Sequence, residues 1–243
     1  MPRGHPDYGQ SAATRLVASV SDLGELAARL GSNNTWDRRG FILWYDDFEE
    51  SVLRWDRSSI GGGHSSGLSS ATQRNGKQAA YMITSPSDPF DVSFLREFNL
   101  PESNRMGIEL HWSIVNAGQS LLMYAYVRSG TQSYTFGVRH LLTTPKALQI
   151  FQDPGVWTTL AVLTLPNVAY NYYTPVKLVM DLAEGKYVRL RYLRATYDLS
   201  TIAPPTLPDT ATPNIAVTVE FKAVNSTQRT AYLDDFILTQ EEP

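Results

Sequence analysis

The chain has 243 residues, of which 42% are hydrophobic, enough for one large all-β domain or for one domain with an appendage. The formal net charge is −3 and no stretch concentrates Lys and Arg, which argues against nucleic acid and membrane surfaces as partners. The chain contains no cysteine, which excludes disulfides, thiolate metal sites and cysteine nucleophiles.

Residues 1–39 differ in composition from the rest and predict an extended arm followed by a short helix. Residues 1–14 are rich in Pro, Gly and polar residues, and no uninterrupted apolar segment follows them, so we expect no signal peptide. Leu23, Leu26 and Leu30 then recur at the spacing of one helix face. Because a helix this short is marginal alone, we expect these leucines to dock on their own domain or on a neighbouring subunit.

From Phe41 onward the sequence predicts β-strands, which we assign to one domain at residues 40–243. Short segments rich in β-branched and aromatic residues alternate with Gly, Asn and Pro, as in a β-sandwich. The predicted strands are residues 40–48, 51–57, 78–84, 92–98, 105–115, 120–129, 132–140, 148–152, 157–165, 176–182, 187–194, 214–223 and 230–239.

Two of these segments carry further predictions. In residues 108–114 apolar and polar side chains alternate, so this strand is predicted to be buried on one face only. Residues 201–213 contain Pro204, Pro205, Pro208 and Pro213. Because proline lacks the N–H that a ladder needs, this stretch is predicted to be an unpaired surface loop.

Two acidic segments near the ends of the domain resemble the first and last strands of jelly-roll carbohydrate-binding modules and concanavalin A-like domains. They are Trp44-Tyr45-Asp46-Asp47-Phe48-Glu49-Glu50 and Tyr232-Leu233-Asp234-Asp235-Phe236-Ile237-Leu238. Residues 180–187, together with Tyr197-Asp198-Leu199, resemble the hairpin of laminin-G-like sandwiches. The resemblance covers residues 41–240 and implies an all-β fold, an antiparallel jelly-roll β-sandwich.

The same resemblance implies a structural calcium site. In such modules an acidic residue of the first strand and an Asp of the last strand hold the ion. The matching residues here are Glu49 and Asp234 or Asp235, with Asp47 as a further candidate. Calcium prefers carboxylate and carbonyl oxygens. The alternative is that these carboxylates are solvated charges at strand ends or turn-forming residues.

Two motifs are candidates for catalysis, and neither has the context that catalysis needs. Gly63-His64-Ser65-Ser66-Gly67 matches the G-x-S-x-G of a nucleophile elbow, but serine- and glycine-rich segments flank it instead of a strand and a helix. Glu109 and His111 share a strand face, either as an acid/base pair or as part of a solvated sheet face. We therefore predict that the protein is not an enzyme.

The candidate ligand site is an aromatic segment at residues 169–175. Tyr170, Tyr172 and Tyr173 cluster there on a predicted loop. Exposed aromatic side chains are good anchors for sugar rings and for protein neighbours. The alternative is that the three rings pack over the edge of the sandwich or join a subunit interface.

Two functions follow from these observations. Sandwiches of the kind that the chain resembles also serve as decoration and fibre domains on virions, where an N-terminal arm and helix join subunits. The sequence therefore favours a phage decoration or tail-associated subunit that forms a homo-oligomer or binds capsid or tail neighbours, and that assembles in the host cytoplasm. The alternative is an extracellular, lectin-like carbohydrate-binding module whose partners are glycans.

Overall fold

The computed structural model describes residues 39–59, 63–84, 91–101, 103–115, 120–163, 172–223 and 228–243. These residues form sixteen β-strands. In chain order the strands are β1 (Phe41–Asp46), β2 (Asp56–Ser59), β3 (Ser65–Ser69), β4 (Ala79–Ile83), β5 (Asp91–Asn99), β6 (Arg105–Ile114), β7 (Ser120–Arg128), β8 (Gln132–Leu141), β9 (Ala147–Asp153), β10 (Val156–Val162), β11 (Thr174–Asp181), β12 (Lys186–Tyr192), β13 (Ala195–Asp198), β14 (Thr206–Pro208), β15 (Asn214–Lys222) and β16 (Thr230–Gln240).

The strands form two antiparallel sheets of eight strands each. Sheet A has the order β13-β12-β11-β6-β16-β4-β3, and β1 pairs with the part of β16 that extends beyond β4. Sheet B has the order β10-β9-β8-β7-β15-β5-β2, and β14 pairs with β8. The last strand of the chain therefore lies in the middle of sheet A, between β6 on one side and β4 and β1 on the other.

One hydrophobic core lies between the sheets. Ile108, Leu110 and Trp112 point inward from β6, and Met123 and Val127 point inward from β7. All five side chains are buried. Burial of one such side chain stabilises the fold by roughly 1.5–3 kcal/mol, so the two inner faces supply most of the driving force for this architecture.

The predicted all-β antiparallel sandwich is confirmed. The described residues contain no helix, and hence none that is long and apolar enough to cross a membrane. Leu23, Leu26 and Leu30 lie outside the described residues together with the predicted arm and helix. The division into residues 1–39 and 40–243 therefore stays a prediction.

The prediction that β6 is buried on one face only is wrong. Glu109, His111 and Ser113 are as buried as the apolar residues that alternate with them. The reason is that distant segments of the chain contact the polar residues of sheet A, as Arg74 contacts Asp234 and Glu242 contacts Lys177. Alternation along a strand separates its two faces, but it does not show whether the polar face is covered by other parts of the chain.

Several strand predictions differ from the structure. The second strand occupies Asp56–Ser59 instead of residues 51–57, while β3 and β13 lie in segments where no strand was expected. The proline-rich segment is not an unpaired loop, because β14 pairs with the edge of β8 beside the β7–β8 turn. Pro205 contributes to this pairing through its carbonyl oxygen, which accepts a hydrogen bond from the Thr135 N–H (3.2 Å). The pairing therefore does not need the backbone N–H that proline lacks.

Candidate functional site

The two outer faces of the sandwich differ in exposure. On sheet A, Glu109, His111 and Asp234 are fully buried on the outer side. On sheet B, several outer-facing side chains of β7 and β8 are half-exposed, among them Tyr124 and Arg139. Because a large ligand needs an accessible surface, the outer face of sheet B is the candidate binding surface.

Three aromatic rings from neighbouring strands meet on this face. Tyr124 lies on β7, Phe151 on β9 and Trp157 on β10. The ring centroids are 5.8 Å apart for Tyr124 and Phe151, 5.9 Å for Tyr124 and Trp157, and 5.1 Å for Phe151 and Trp157. All three side chains are half-exposed, and we call them the aromatic platform.

A glycine and a buried tyrosine hold the platform in place. Gly137 on β8 lies under the ring of Tyr124, where a Cβ atom would come within 2.8 Å of Tyr124 Cδ1. On the inner side, Tyr187 of sheet A accepts a hydrogen bond from the Gly137 N–H and donates its own hydroxyl to the Phe151 carbonyl oxygen, both at 2.8 Å. The backbone beneath the rings is therefore fixed from within the core.

A guanidinium group borders the platform. The Cζ atom of Arg139 lies 4.2 Å from the ring centroid of Trp157. Its Nε and Nη2 atoms donate to Gln149 Oε1 at 2.8 and 2.6 Å. Gln149 Nε2 donates in turn to Thr159 Oγ1 at 3.0 Å, which fixes the orientation of the amide. Burial lowers the pKa of Arg139, but an arginine remains cationic at any physiological pH.

An ion-pair network lies on the other side of Tyr124. Lys222 Nζ is 2.9 Å from Asp91 Oδ2 and 3.1 Å from Glu220 Oε1. Burial and a hydrogen bond with Asp91 raise the pKa of Glu220 to about 7. Burial, assisted by the charge of Glu220, raises the pKa of Tyr124 to about 12. The hydroxyl of Tyr124 is therefore protonated at neutral pH and can donate a hydrogen bond.

The sequence-predicted tyrosines occupy different environments. Tyr172 is exposed, with 56% of its surface accessible. Tyr173 is 9% exposed, packs with Val115 and Tyr232, and donates its hydroxyl to the Thr72 carbonyl oxygen at 3.1 Å. The ring of Tyr173 therefore agrees with the alternative expectation, in which it packs against the sandwich. Tyr170 lies outside the described residues, and ligand binding at Tyr172 stays a prediction.

The structure brings Asp234 and Asp235 of β16 against the loop before β4. Asp234 Oδ2 accepts hydrogen bonds from the backbone N–H groups of Arg74 (2.8 Å) and Asn75 (3.3 Å). Asp235 Oδ2 is 3.1 Å from Arg74 Nη1, and its Oδ1 accepts the Tyr45 hydroxyl at 3.2 Å. Burial raises the pKa of Asp234 to about 7 and, with the charge of Asp234, that of Asp235 to about 8.

Glu49 holds the same loop from the side of β1. Its Oε1 accepts hydrogen bonds from the backbone N–H groups of Lys77 (2.7 Å) and Gln78 (3.0 Å). Gly76 has a φ of +67°, and a Cβ there would lie 2.1 Å from the same oxygen. The close approach of the carboxylate therefore requires glycine at this position. Asp47 accepts a hydrogen bond from the Glu49 N–H at 3.1 Å, in the segment that follows β1.

These contacts bear on the predicted calcium site. The oxygens of Glu49, Asp234 and Asp235 already contact N–H donors, among them the Arg74 guanidinium, without a metal ion. Across the described residues, no group of three or more His, Asp or Glu side chains is placed to hold a metal. A calcium ion here would require the loop at residues 74–78 to turn its carbonyl oxygens inward. Calcium binding stays a prediction.

The candidate catalytic residues have structural partners. Ser65 lies in β3, and its hydroxyl contacts the Tyr81 hydroxyl at 2.9 Å, whereas His64 Nε2 contacts Ser59 Oγ at 2.5 Å. The serine and histidine of the G-x-S-x-G motif are thus engaged with different partners. Burial, with the charge of Arg74, lowers the pKa of His111 to about 3 and keeps the ring neutral.

Sequence reasoning did not single out Tyr124, Phe151, Trp157 or Arg139 as ligand-binding residues. A signal for the platform exists in β7, where Tyr124 and Tyr126 alternate with the buried Met123 and Ala125. Aromatic residues on the polar side of a strand indicate a sheet face with apolar area open to a ligand. The contact of Tyr124 with Phe151 of β9 and Trp157 of β10 depends on strand pairing and register, which the sequence does not show.

No family model matches the chain, and no curated protein matches it significantly in sequence. Solved structures share its fold at low identity. A protein of unknown function with a galectin-like fold from Bacillus subtilis is 10% identical with a TM-score of 0.55, covering 83% of this chain and 97% of that one. An endo-β-1,4-glucuronan lyase from the fungus Trichoderma reesei is 10% identical with a TM-score of 0.53, covering 82% and 95%.

The conserved carbohydrate esterase of the Shiga toxin-encoding bacteriophage phi24B is similar to the same degree. It is 12% identical with a TM-score of 0.51, and the match covers 83% of this chain and 100% of that one. At these identities the similarity concerns the fold. The chain therefore has the galectin-like, jelly-roll β-sandwich architecture that the acidic strand motifs implied.

Proposed function

We propose that this protein is a non-enzymatic, glycan-binding β-sandwich whose ligand lies across the outer face of sheet B. The observation that carries the proposal is the aromatic platform of Tyr124, Phe151 and Trp157, which is half-exposed and bordered by polar groups on both sides. Sugar rings combine an apolar face with hydroxyl groups at the rim. Aromatic rings flanked by hydrogen-bonding side chains are complementary to that combination.

The polar groups around the platform support the same proposal. Arg139 and the protonated Tyr124 hydroxyl supply donors, while Glu220 and Asp91 supply acceptors. Gln149 and Lys222 hold these side chains in place through the contacts described above. A surface that is already ordered loses less conformational entropy when a ligand binds, which favours affinity.

We also propose that this glycan-binding domain belongs to a virion surface protein, of the decoration or tail-associated kind. The predicted amphipathic helix with Leu23, Leu26 and Leu30 supports a role in joining subunits. The phi24B carbohydrate esterase supplies a bacteriophage protein with the same fold. On this proposal the protein forms a homo-oligomer or contacts capsid or tail proteins, while sheet B faces a glycan.

A binding experiment tests the glycan proposal. The intact protein is screened on a glycan array, and each ligand found is titrated by calorimetry against Tyr124→Ala and Trp157→Ala. Loss of one ring contact is expected to weaken binding about tenfold, which corresponds to about 1.4 kcal/mol. Melting temperatures measured in parallel show whether each variant remains folded.

Tyr172→Ala is the matched control because Tyr172 is exposed but lies outside the platform. We expect it to bind with unchanged affinity. If Tyr172→Ala abolishes binding while Trp157→Ala does not, the site is at Tyr172 and the platform proposal is wrong. If no glycan on the array binds, the glycan proposal is wrong.

The assembly proposal has a separate test. The solution mass of the full chain is compared with that of a chain beginning at Gly40, by size-exclusion chromatography with light scattering. The expected result is an oligomer that becomes a monomer after truncation. Monomers in both cases contradict the assembly proposal and leave the glycan proposal unaffected.

A further inference from the structure

We infer that the ligand of this face is an acidic glycan, and that Arg139 binds its carboxylate. This inference rests on the proposed function, because it concerns the same surface. It specifies which sugars the platform selects and which side chain makes the selection.

The geometry of Arg139 is that of a prepared anion receptor. A guanidinium has five N–H donors. Arg139 uses the Nε hydrogen and one Nη2 hydrogen on Gln149 Oε1, and its Cζ atom lies over the ring of Trp157. Three N–H groups, those at the outer end of the planar fork, make no hydrogen bond to the residues that the structure describes. Two parallel N–H groups at this end match the two oxygens of a carboxylate.

The support under Arg139 is itself rigid. Gln149 is 91% buried, since only 9% of its surface is exposed, and its amide nitrogen is bound to Thr159. The side chain of Arg139 is therefore held by two hydrogen bonds to an ordered amide and by contact with the ring of Trp157. An arginine ordered in this way binds an anion without losing rotamer freedom at that moment.

Within the described residues, Arg139 forms no salt bridge. Arg128 lies on β7 and on the same outer face of sheet B. Unlike Arg139, it has a carboxylate partner, since its Nε is 3.3 Å from Asp209 Oδ2. The two carboxylates whose charges act on Tyr124, Asp91 and Glu220, are paired with Lys222. A partly buried cation is normally paired, because desolvation without an anion is unfavourable. A carboxylate on the ligand would supply the missing anion.

The neighbouring groups do not oppose an anion at this position. The charge of Lys222 balances one of the two carboxylates beside it, and the pKa of Glu220 is raised toward neutrality. The protonated hydroxyl of Tyr124 can donate a further hydrogen bond to the bound sugar. The face therefore presents donors beside Arg139 and acceptors toward Glu220, so a sugar acid would bind with its carboxylate at the Arg139 side.

Calorimetric titration with matched ligands tests the inference. The probes are hexamers of polyglucuronate and of polygalacturonate, together with their carboxyl-reduced counterparts, which keep the sugar backbone but lack the charge. We expect an acidic hexamer to bind at least tenfold more tightly than its reduced form. Arg139→Gln should abolish this preference, a loss of about tenfold to a hundredfold for a charge-assisted hydrogen bond.

Arg128→Gln is the control, since it removes the same charge from the same face but from a residue that already has a carboxylate partner. It should keep the preference. Arg139→Lys keeps the charge but lacks the planar fork, and it should keep only part of the preference. Because Arg139→Lys preserves the side-chain stem, it also covers the case in which Arg139→Gln fails to fold.

The outcomes separate this inference from the proposed function. If neutral glycans on the array bind but the acidic and reduced hexamers bind equally, or if Arg139→Gln keeps the acidic preference, the inference is wrong and the proposed function stands. If sulfated glycans are preferred over carboxylated ones, the carboxylate assignment is wrong. If neither hexamer nor any array glycan binds, both the inference and the proposed function are wrong.

Discussion

Lys177 on β11 offers the sharpest test of the covered face of sheet A. Its side chain is fully buried, and its Nζ lies 2.6 Å from Glu242 Oε1 and 4.0 Å from Glu109 Oε2. Arg189 Nη2 binds the other oxygen of Glu242 at 2.7 Å. Side chains of both charges therefore meet in a buried part of the fold.

Lys177→Met preserves most of the volume and removes one of these charges. Glu109 then loses its contact with Lys177, while Glu242 keeps Arg189 and the Thr239 hydroxyl (2.6 Å). Breaking a buried ion pair by removing one partner typically destabilises a protein by about 3–5 kcal/mol. Because domains are stable by only about 5–15 kcal/mol, the variant should lose about a fifth or more of its stability.

Urea unfolding followed by tryptophan fluorescence measures this loss. Lys186→Met is the matched control, because Lys186 pairs with Glu184 at 3.1 Å but their side chains are 53% and 63% exposed. An exposed pair contributes less than about 1 kcal/mol. Adding Glu109→Gln to Lys177→Met should recover part of the stability. If Lys177→Met is no more destabilising than Lys186→Met, the buried charge balance is not important for the fold.

Three further predictions concern the ends of the domain. Burial raises the pKa of Asp235 to about 8, so the folded state binds more protons than the unfolded state between about pH 4 and pH 8. The free energy of unfolding should therefore fall as the pH rises through this range. For one proton the decrease is at most about 1.4 kcal/mol per pH unit. Asp235→Asn should flatten this dependence in urea unfolding at pH 6 and pH 9, and an unchanged slope would exclude Asp235 as its source. If Glu49 and Asp234 hold calcium, chelation should lower the melting temperature by a few degrees, and no shift between chelator and added calcium would contradict the site. Leu26→Asp should dissociate the oligomer while the melting temperature of the sandwich stays the same, and an intact oligomer would show that the predicted helix does not join subunits.

Local sequence patterns predicted the positions of most strands, because alternation of apolar and polar side chains can be recognised within a single strand. The predicted 214–223 segment, for example, differs from β15 by a single residue at its end. Pairing is a different matter, because it depends on contacts between distant parts of the chain. Tyr124, Phe151 and Trp157 meet only through the register of β7 to β10, and residues 74–78 cover Asp234 only because the last strand pairs with β4.

The same limit applies to individual residues. No strand was predicted around Ser65, where Ser and Gly residues are frequent, but the segment forms β3 because β4 offers a free edge to pair with. His111 and Glu109 read as a solvated polar face, whereas sheet A buries them. Tertiary contacts outweigh local preference in each case, so composition and spacing could not have predicted these environments.

The central place of β16 has a consequence for synthesis of the chain. Phe41 of β1 pairs with Gln240 of β16, and β4 and β6 also pair with β16. At a synthesis rate of about 5–20 residues per second, the early strands leave the ribosome many seconds before their partner exists. During that time β4 and β6 expose strand edges that favour aggregation. A nascent chain that stops before Thr230 lacks the centre of a sheet, and chaperones that shield strand edges should increase the yield of folded protein.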